Sequence, residues 1–296
     1  MTAAVKTVLL RVPCYNHEPF IRGCLASIAA QDYPALRVIV ADDGSTDGTA
    51  EVAKAWCAQH GQRFVQNPAN VGIAASLNGM MAWAGEYDYI FSLASDDELR
   101  PGAIAALVAT LADDPAAVGA YGEVRLMDAR GCDLGAMRND RASGDLFEPV
   151  LFNQIAIPFT WILWTRRAYD RFPGYDPEIG SEDAYIFNHL ARTGPIRYCP
   201  ATIVRYRKHP GNTTARPWST YRTALKMLEV HAAEAFYPRL RRYYHAEFFF
   251  LLSRAYPREA LRYLSAALLR PFRKQFVAGC LNLVGAGWLV DRCLRR

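Results

Sequence analysis

Three apolar runs in the first hundred residues each end in a polar or acidic turn, and that recurrence constrains the fold more than anything else in the chain. Val8-Leu9-Leu10-Arg11-Val12 runs into Pro13-Cys14-Tyr15-Asn16. Val38-Ile39-Val40 gives way to Ala41-Asp42-Asp43-Gly44-Ser45-Thr46-Asp47-Gly48-Thr49, and Tyr89-Ile90-Phe91-Ser92-Leu93 to Ala94-Ser95-Asp96-Asp97. A buried strand that stops at carboxylates and a Gly-Ser turn delivers acidic groups to the carboxyl edge of a sheet, where open α/β sheets bind ligands. A single Asp-Gly turn is ordinary loop chemistry. Three such strand ends in order define an edge.

The segments between them fit βαβ units on a parallel sheet. Strands are predicted over Thr7 to Val12, Arg37 to Ala41, Arg63 to Gln66 and Tyr89 to Leu93. Helices are predicted over Glu18 to Ala30, Thr46 to His60 and Gly72 to Ala84. Ile21, Leu25 and Ile28 recur at helical spacing, so the first helix packs one face on the sheet. Ser45 or Thr46 is the expected cap of the second. Pro101-Gly102 opens a further helix that Pro115 stops. Val118 to Met127 reads as a strand, Arg130 to Asp145 as a loop and Phe159 to Thr165 as a buried strand. Arg171 to Asp183 reads as loop, followed by a helix from Ala184 to Arg192 and a last strand from Ile203 to Tyr206. Arg216-Pro217 marks the expected boundary between a domain of residues 1–215 and a helical region of 216–296, broken at Pro238, Pro257 and Pro271.

The chain has 296 residues, 51% of them hydrophobic, enough for a full core. Its seven cysteines show no paired short spacing, which argues against a zinc site or a disulfide framework and for a reducing compartment. The N-terminal apolar run is interrupted by Arg11 and closed by Pro13, so no signal peptide is expected and the predicted location is the cytoplasm. The net charge of +5 is unevenly spread. From Arg216 onward fifteen Lys/Arg face five Asp/Glu, whereas the first 215 residues carry nineteen against twenty-four. A basic, apolar and aromatic tail suits an anionic membrane face, at the inner side of the cytoplasmic membrane, better than nucleic acid.

Further motifs follow the strand ends in sequence: the Gln31-Asp32-Tyr33-Pro34 elbow, Asn70-Val71-Gly72 with Asn78, Gly174-Tyr175-Asp176, Glu182-Asp183, and Tyr206-Arg207-Lys208-His209-Pro210-Gly211-Asn212. Together, from about Thr7 to Asn212, they resemble the family 2 glycosyltransferases, inverting enzymes with the GT-A nucleotide-sugar fold. The resemblance implies an α/β domain, a mostly parallel sheet flanked by helices, with the helical region as an appendage. It also implies transfer of one sugar from a nucleoside diphosphate sugar, with a UDP-sugar as the expected donor, to a hydroxyl of a glycan or lipid-linked acceptor. The Gln-X-X-Arg-Trp motif of processive members is absent, so one sugar per encounter is expected.

Residue by residue, Pro13, Tyr15 and Asp43 match positions that line the base and ribose, with Asn16, Asn70, Asn78 and Ser95 as further nucleotide-site positions. A tyrosine face stacks on a pyrimidine, and a carboxylate accepts its ring N–H in a charge-assisted bond. Turn formation or helix capping is the competing role for Asp43. Ser95-Asp96-Asp97 resembles the family's Asp-X-Asp metal motif, departing from it at Ala94. Asp96 leads as ligand and nucleotide contact, with Asp97 beside it and His209 as a further candidate, for a divalent ion, Mn²⁺ or Mg²⁺. Glu182-Asp183 resembles the pair whose aspartate takes the acceptor proton, so Asp183 is the expected base ahead of Glu182. Arg207 is a candidate for phosphate or acceptor contact, and Trp161 for acceptor specificity.

The uncharged stretch Gln275 to Val290 would make a helix of roughly 24 Å, short of the ~30 Å hydrocarbon core, which suits an interfacial anchor or docking on the preceding helices. A nucleotidyltransferase is the nearest enzyme alternative, but it would carry a Gly-rich phosphate loop after the first strand. No Gly-X-Gly-X-X-Gly follows a strand, which excludes a dinucleotide-binding dehydrogenase of that type. A non-catalytic, membrane-associated scaffold is the alternative outside enzymes, and retention of Asp43, Asp96, Asp97 and Asp183 together argues against it.

Overall fold

The computed structural model describes residues 5–212, 217–268 and 279–280. It separates two compact units, residues 1–209 and 210–296.

Among the described residues, the first unit is built on a nine-stranded sheet. Its strands are β1 (Val8–Cys14), β2 (Leu36–Asp42), β3 (Arg63–Gln66), β4 (Tyr89–Ser92), β5 (Glu98–Leu99), β6 (Gly119–Met127), β7 (Asp133–Ala136), β8 (Ile162–Thr165) and β9 (Ile196–Arg207). The spatial order is β3-β2-β1-β4-β8-β6-β9-β5, with β7 paired to β6. The β3-β2-β1-β4 half is parallel throughout. Beyond it β8 joins antiparallel to β4 and β6, while β6 and β9 run parallel. The helices are α1 (Glu18–Ala29), α2 (Thr49–Gln59), α3 (Ile73–Met81), α4 (Ala103–Ala112), α5 (Phe147–Leu151), α6 (Arg166–Tyr169) and α7 (Glu182–Leu190).

Alternation along β1 sorts its side chains. Val8, Leu10, Val12 and Cys14 join the main core with Ile21, Cys24, Leu25 and Ile28 of α1, and Val38 and Val40 of β2. Leu9 and Arg11 take the opposite face, and both are buried. Burial of both faces is what a parallel sheet flanked by helices requires.

Three differences from the sequence reading have local causes. The second helix begins at Thr49, not Thr46, because Ser45 and Thr46 are spent elsewhere: Ser45 Oγ donates to Asp42 and accepts the Asn16 N–H, and Thr46 N donates to Asn16 Oδ1 at 2.8 Å. Asp47 accepts the Thr49 N–H at 3.0 Å in their place. The loop of residues 130–145 contains β7, which pairs with β6. The last strand runs over twelve residues, because β6 extends a long parallel partner to it.

Gly44 shows why the Asp-Asp-Gly order matters. Its φ is +72°, and a Cβ there would lie 2.6 Å from the Ala69 carbonyl carbon. Only glycine lets the loop after β3 pack this closely on the end of β2.

The second unit contains α8 (Pro217–Glu229), α9 (Tyr237–Ser253), α10 (Pro257–Ala260) and α11 (Leu264–Leu268). Pro238 and Pro257 each sit in the first turn of a helix, where a missing N–H costs nothing. Its core gathers Tyr221, Phe248, Phe249, Leu252 and Tyr263, with the Tyr221 and Tyr263 hydroxyls 2.6 Å apart. Among the described residues no helix is long and apolar enough to cross a membrane. Pro271 and, apart from 279–280, the expected anchor segment of residues 275–290 lie outside the described residues.

Candidate active site

The parallel register brings the carboxyl ends of β1, β2 and β4 side by side, and the polar turns after them form one edge. After β1, Asn16 adopts φ +51°, a left-handed conformation that asparagine tolerates, and ties this turn to the one after β2. His17 follows at the entry to α1, its Nδ1 2.8 Å from Ser95 Oγ. Tyr15 stands 41% exposed at the same edge, open for stacking.

Asp96, His17 and His209 converge here. Their ligand atoms all lie within 4.8 Å of one another, and His209 Nε2 is 2.9 Å from Asp96 Oδ2. Phe20 of α1 backs His209 at a ring separation of 4.7 Å. Burial lowers the His17 pKa, with His209 adding to the effect and Asp96 opposing it. The ring is thereby held in the neutral form that ligates metals. Two imidazoles and one carboxylate form a mixed N/O donor set, which suits Mn²⁺ better than the all-oxygen preference of Mg²⁺.

Asp97, expected as a second ligand, does not join this cluster. Its side chain is buried and accepts the Arg207 backbone N–H at 2.9 Å. Burial and the adjacent Asp96 charge hold its carboxyl well above the ordinary range. Arg207 likewise faces inward rather than toward an acceptor. Its guanidinium donates to the Asp96 carbonyl at 2.8 Å and to Glu98 at 2.6 Å, so it braces the turn that presents Asp96. Lys208 lies over the Tyr206 ring.

The proposed nucleotide contacts divide in the same way. Asp43 is buried and accepts from Asn67 Nδ2, Val71 N and Gly72 N at 2.8, 3.0 and 2.9 Å. It anchors the loop after β3 and keeps one of about four lone-pair positions for a further donor. Asn70 is exposed on that loop. Asn78 is not free: its amide donates to the Tyr175 carbonyl and accepts the Tyr175 N–H, both at 2.8 Å. It clamps the Gly174-Tyr175 segment to α3.

Beside this edge lies a cavity of about 70 Å³, lined among others by Pro13, Ala94, Thr160, Trp161, Glu182 and Asp183. Asp183, at the start of α7, accepts from Thr160 Oγ1 and Ser181 Oγ at 2.8 Å each and from the Ala184 N–H at 2.7 Å. These bonds fix its rotamer and draw on the positive end of the helix. Trp161 is buried against Tyr206.

Burial, reinforced by the Asp183 charge, pushes the Glu182 carboxyl up to about 7. Between its ordinary pKa of 4.5 and about 7 the folded chain holds this proton more tightly than the unfolded chain. Stability therefore falls as pH rises through that window and levels off above it. The side chain retains some solvent contact, so the loss is on the order of 1–3 kcal/mol. Glu182→Gln removes the ionisation. The variant is expected to be more stable than the parent at pH 8 and to lose that advantage near pH 4.5, as read by denaturant titration. Parallel pH–stability curves for the two proteins would contradict this assignment.

Comparison with known proteins agrees with this architecture. Residues 10–133 match the model of glycosyl transferase family 2. An N-acetylglucosaminyltransferase of Rhizobium leguminosarum bv. viciae is 34% identical over 128 residues, covering 42% of this chain and 30% of that protein. Staphylococcus aureus TarS 1-349, solved with UDP-GlcNAc, superposes with a TM-score of 0.67 at 15% identity, over 98% of this chain and 91% of that one. The mannosyltransferase PcManGT of Pyrobaculum calidifontis, solved with GDP-Man and Mn²⁺, gives a TM-score of 0.62 at 18% identity, over 99% and 89%. Residues 10–133 are similar to glycosyl transferase family 2, and the chain has the fold of these GT-A structures. It spans 30% or less of the length of four of the curated relatives it matches.

Nothing in the sequence singles out His17. It is one residue of Pro-Cys-Tyr-Asn-His-Glu, and its partners lie 79 and 192 positions away. Only the folded sheet edge reveals it.

Proposed function

We propose that this protein is an inverting glycosyltransferase that moves one sugar from a nucleoside diphosphate sugar to a hydroxyl of a glycan or lipid-linked acceptor. The observation that carries this reading is the convergence of two unlike groups at one sheet edge. A cluster of two histidines and a carboxylate lies on one side, and the fixed carboxylate Asp183 in a cavity on the other.

Asp96, His17 and His209 would hold the divalent ion, and Mn²⁺ is the better match to that donor set. Bound there, such an ion neutralises the charge that develops on a departing diphosphate. Tyr15 offers a stacking face for the base and Asp43 its remaining acceptor position, a pairing suited to a UDP-sugar. PcManGT was solved with Mn²⁺ and TarS with UDP-GlcNAc, in the same fold, which supports both readings. Asp183 accepts the acceptor hydroxyl's proton, with Thr160 and Ser181 holding its oxygens in place. Asn78, Asp97 and Arg207 position these groups through their buried hydrogen bonds.

The fifteen cationic residues from Arg216 onward fit a peripheral site on an anionic membrane face, where a lipid-linked acceptor would be presented.

A thermal-shift screen of nucleoside diphosphates, with and without Mn²⁺, tests the donor half of this reading. A ligand at about 100 times its dissociation constant stabilises by ~2.7 kcal/mol, so UDP with Mn²⁺ is expected to raise the melting temperature well beyond either alone. No nucleotide-dependent shift under any condition would overturn it.

A further inference from the structure

Resting on that reading, we infer that the cavity beside Asp183 is a subsite for a carboxylate carried on a sugar ring, with Arg11 as its buried counter-charge. Arg11 lies in the middle of β1, 1% exposed, and lines the cavity together with Ser92 and Tyr175. Its guanidinium donates to Tyr169 Oη at 2.9 Å, Tyr175 Oη at 2.8 Å and Ser92 Oγ at 2.9 Å. All three are neutral. Among the described residues no carboxylate pairs with it, and its Nε is buried without a hydrogen-bond partner. A buried cation is costly without an opposite charge, and an apolar residue would serve a purely structural position in β1 better.

Two properties of the cavity select the ligand. At about 70 Å³ it is far below the ~300 Å³ of a pocket that encloses a whole small molecule, yet it exceeds the 10–15 Å³ that one water needs. It therefore takes one exocyclic group of a sugar whose ring lies outside. Its inner wall is also rich in donors. Tyr175, which lines the cavity, accepts from Arg11 and so has its own O–H proton left to donate. A carboxylate, all acceptor and negatively charged, matches that wall, whereas a hydroxymethyl group leaves the cation unpaired. Two acidic side chains share the lining. Asp183 has both oxygens engaged. Glu182 stays protonated up to about pH 7 through burial and adds a donor of its own.

The carboxylate can belong to the donor sugar or to the acceptor sugar, and calorimetry separates the two. With Mn²⁺ present, UDP-glucuronate is compared with UDP-glucose and UDP-galacturonate with UDP-galactose. With UDP bound, methyl glucuronoside is compared with methyl glucoside. The acid of at least one pair is expected to bind about tenfold more tightly or better below pH 7. Arg11→Gln and, independently, Tyr175→Phe are expected to shrink that preference to about threefold or less, with UDP binding as the control for an intact fold. Equal affinities within every pair in the parent protein would overturn the inference, as would a preference that survives Arg11→Gln. If Arg11→Gln does not fold, Tyr175→Phe decides on the same criterion. UDP binding without any acid preference sinks this inference alone, whereas loss of all nucleotide binding sinks the proposed function as well.

Discussion

Asp183→Asn is expected to lower turnover by about 10²–10⁴-fold, the range for removal of a general base, while donor affinity stays within about twofold. The substitution is close to neutral for the fold. An asparagine oxygen can still accept from Ser181 and the Ala184 N–H, and the Thr160 hydroxyl can reverse to accept from the new amide. What disappears is basicity. A base acts on the acceptor and chiefly in the transition state, so the loss falls on kcat rather than on donor binding. Calorimetry of UDP-sugar binding beside the rate makes the distinction. Donor binding lost together with turnover would assign Asp183 to the donor site or the fold.

Asp96→Asn is expected to lower activity by about two orders of magnitude or more and to remove the Mn²⁺ dependence of nucleotide binding. Asparagine keeps the shape and can keep a hydrogen bond to His209 Nε2, so the melting temperature of the free protein is expected to change little. His17→Ala is expected to weaken Mn²⁺-dependent binding in the same direction. Asp97→Asn is expected to leave the metal dependence in place, because that carboxyl is buried against the Arg207 backbone. Full transfer in excess EDTA would contradict the metal assignment, and loss of metal dependence in Asp97→Asn would restore Asp97 as a ligand.

The parallel half of the sheet was legible because its signals are local. β3 runs over Arg63–Gln66 as its pattern predicts, and α1 follows the spacing of Ile21, Leu25 and Ile28. β9 was legible only at its end. Arg197, Tyr198, Pro200 and Thr202 interrupt any apolar pattern, and pairing with β6, set by the tertiary fold, makes this stretch a strand. The candidate site divides along the same line. Asp96, His209, Glu182 and Asp183 stand in recognisable motifs, and the structure brings Asp96 to His209 and places both members of the acidic pair in one cavity. His17 gave no signal because its partners are remote in sequence. Asn78 and Arg207 pointed the other way. A polar side chain in a loop motif looks the same whether it awaits a ligand or, as here, satisfies backbone groups inside the protein. Arg11 inside an apolar strand was visible, but its lack of a carboxylate partner was not.

Asp183 is proposed to deliver a nucleophile to the face of the sugar opposite the departing diphosphate. The slow hydrolysis of an α-linked UDP-sugar, followed by proton NMR before mutarotation, tests it without knowledge of the acceptor. Water then takes the acceptor's place, and the β-anomer is expected to appear first, at a rate that falls in Asp183→Asn. Initial release of the α-anomer, or hydrolysis that Asp183→Asn leaves unchanged, would contradict it.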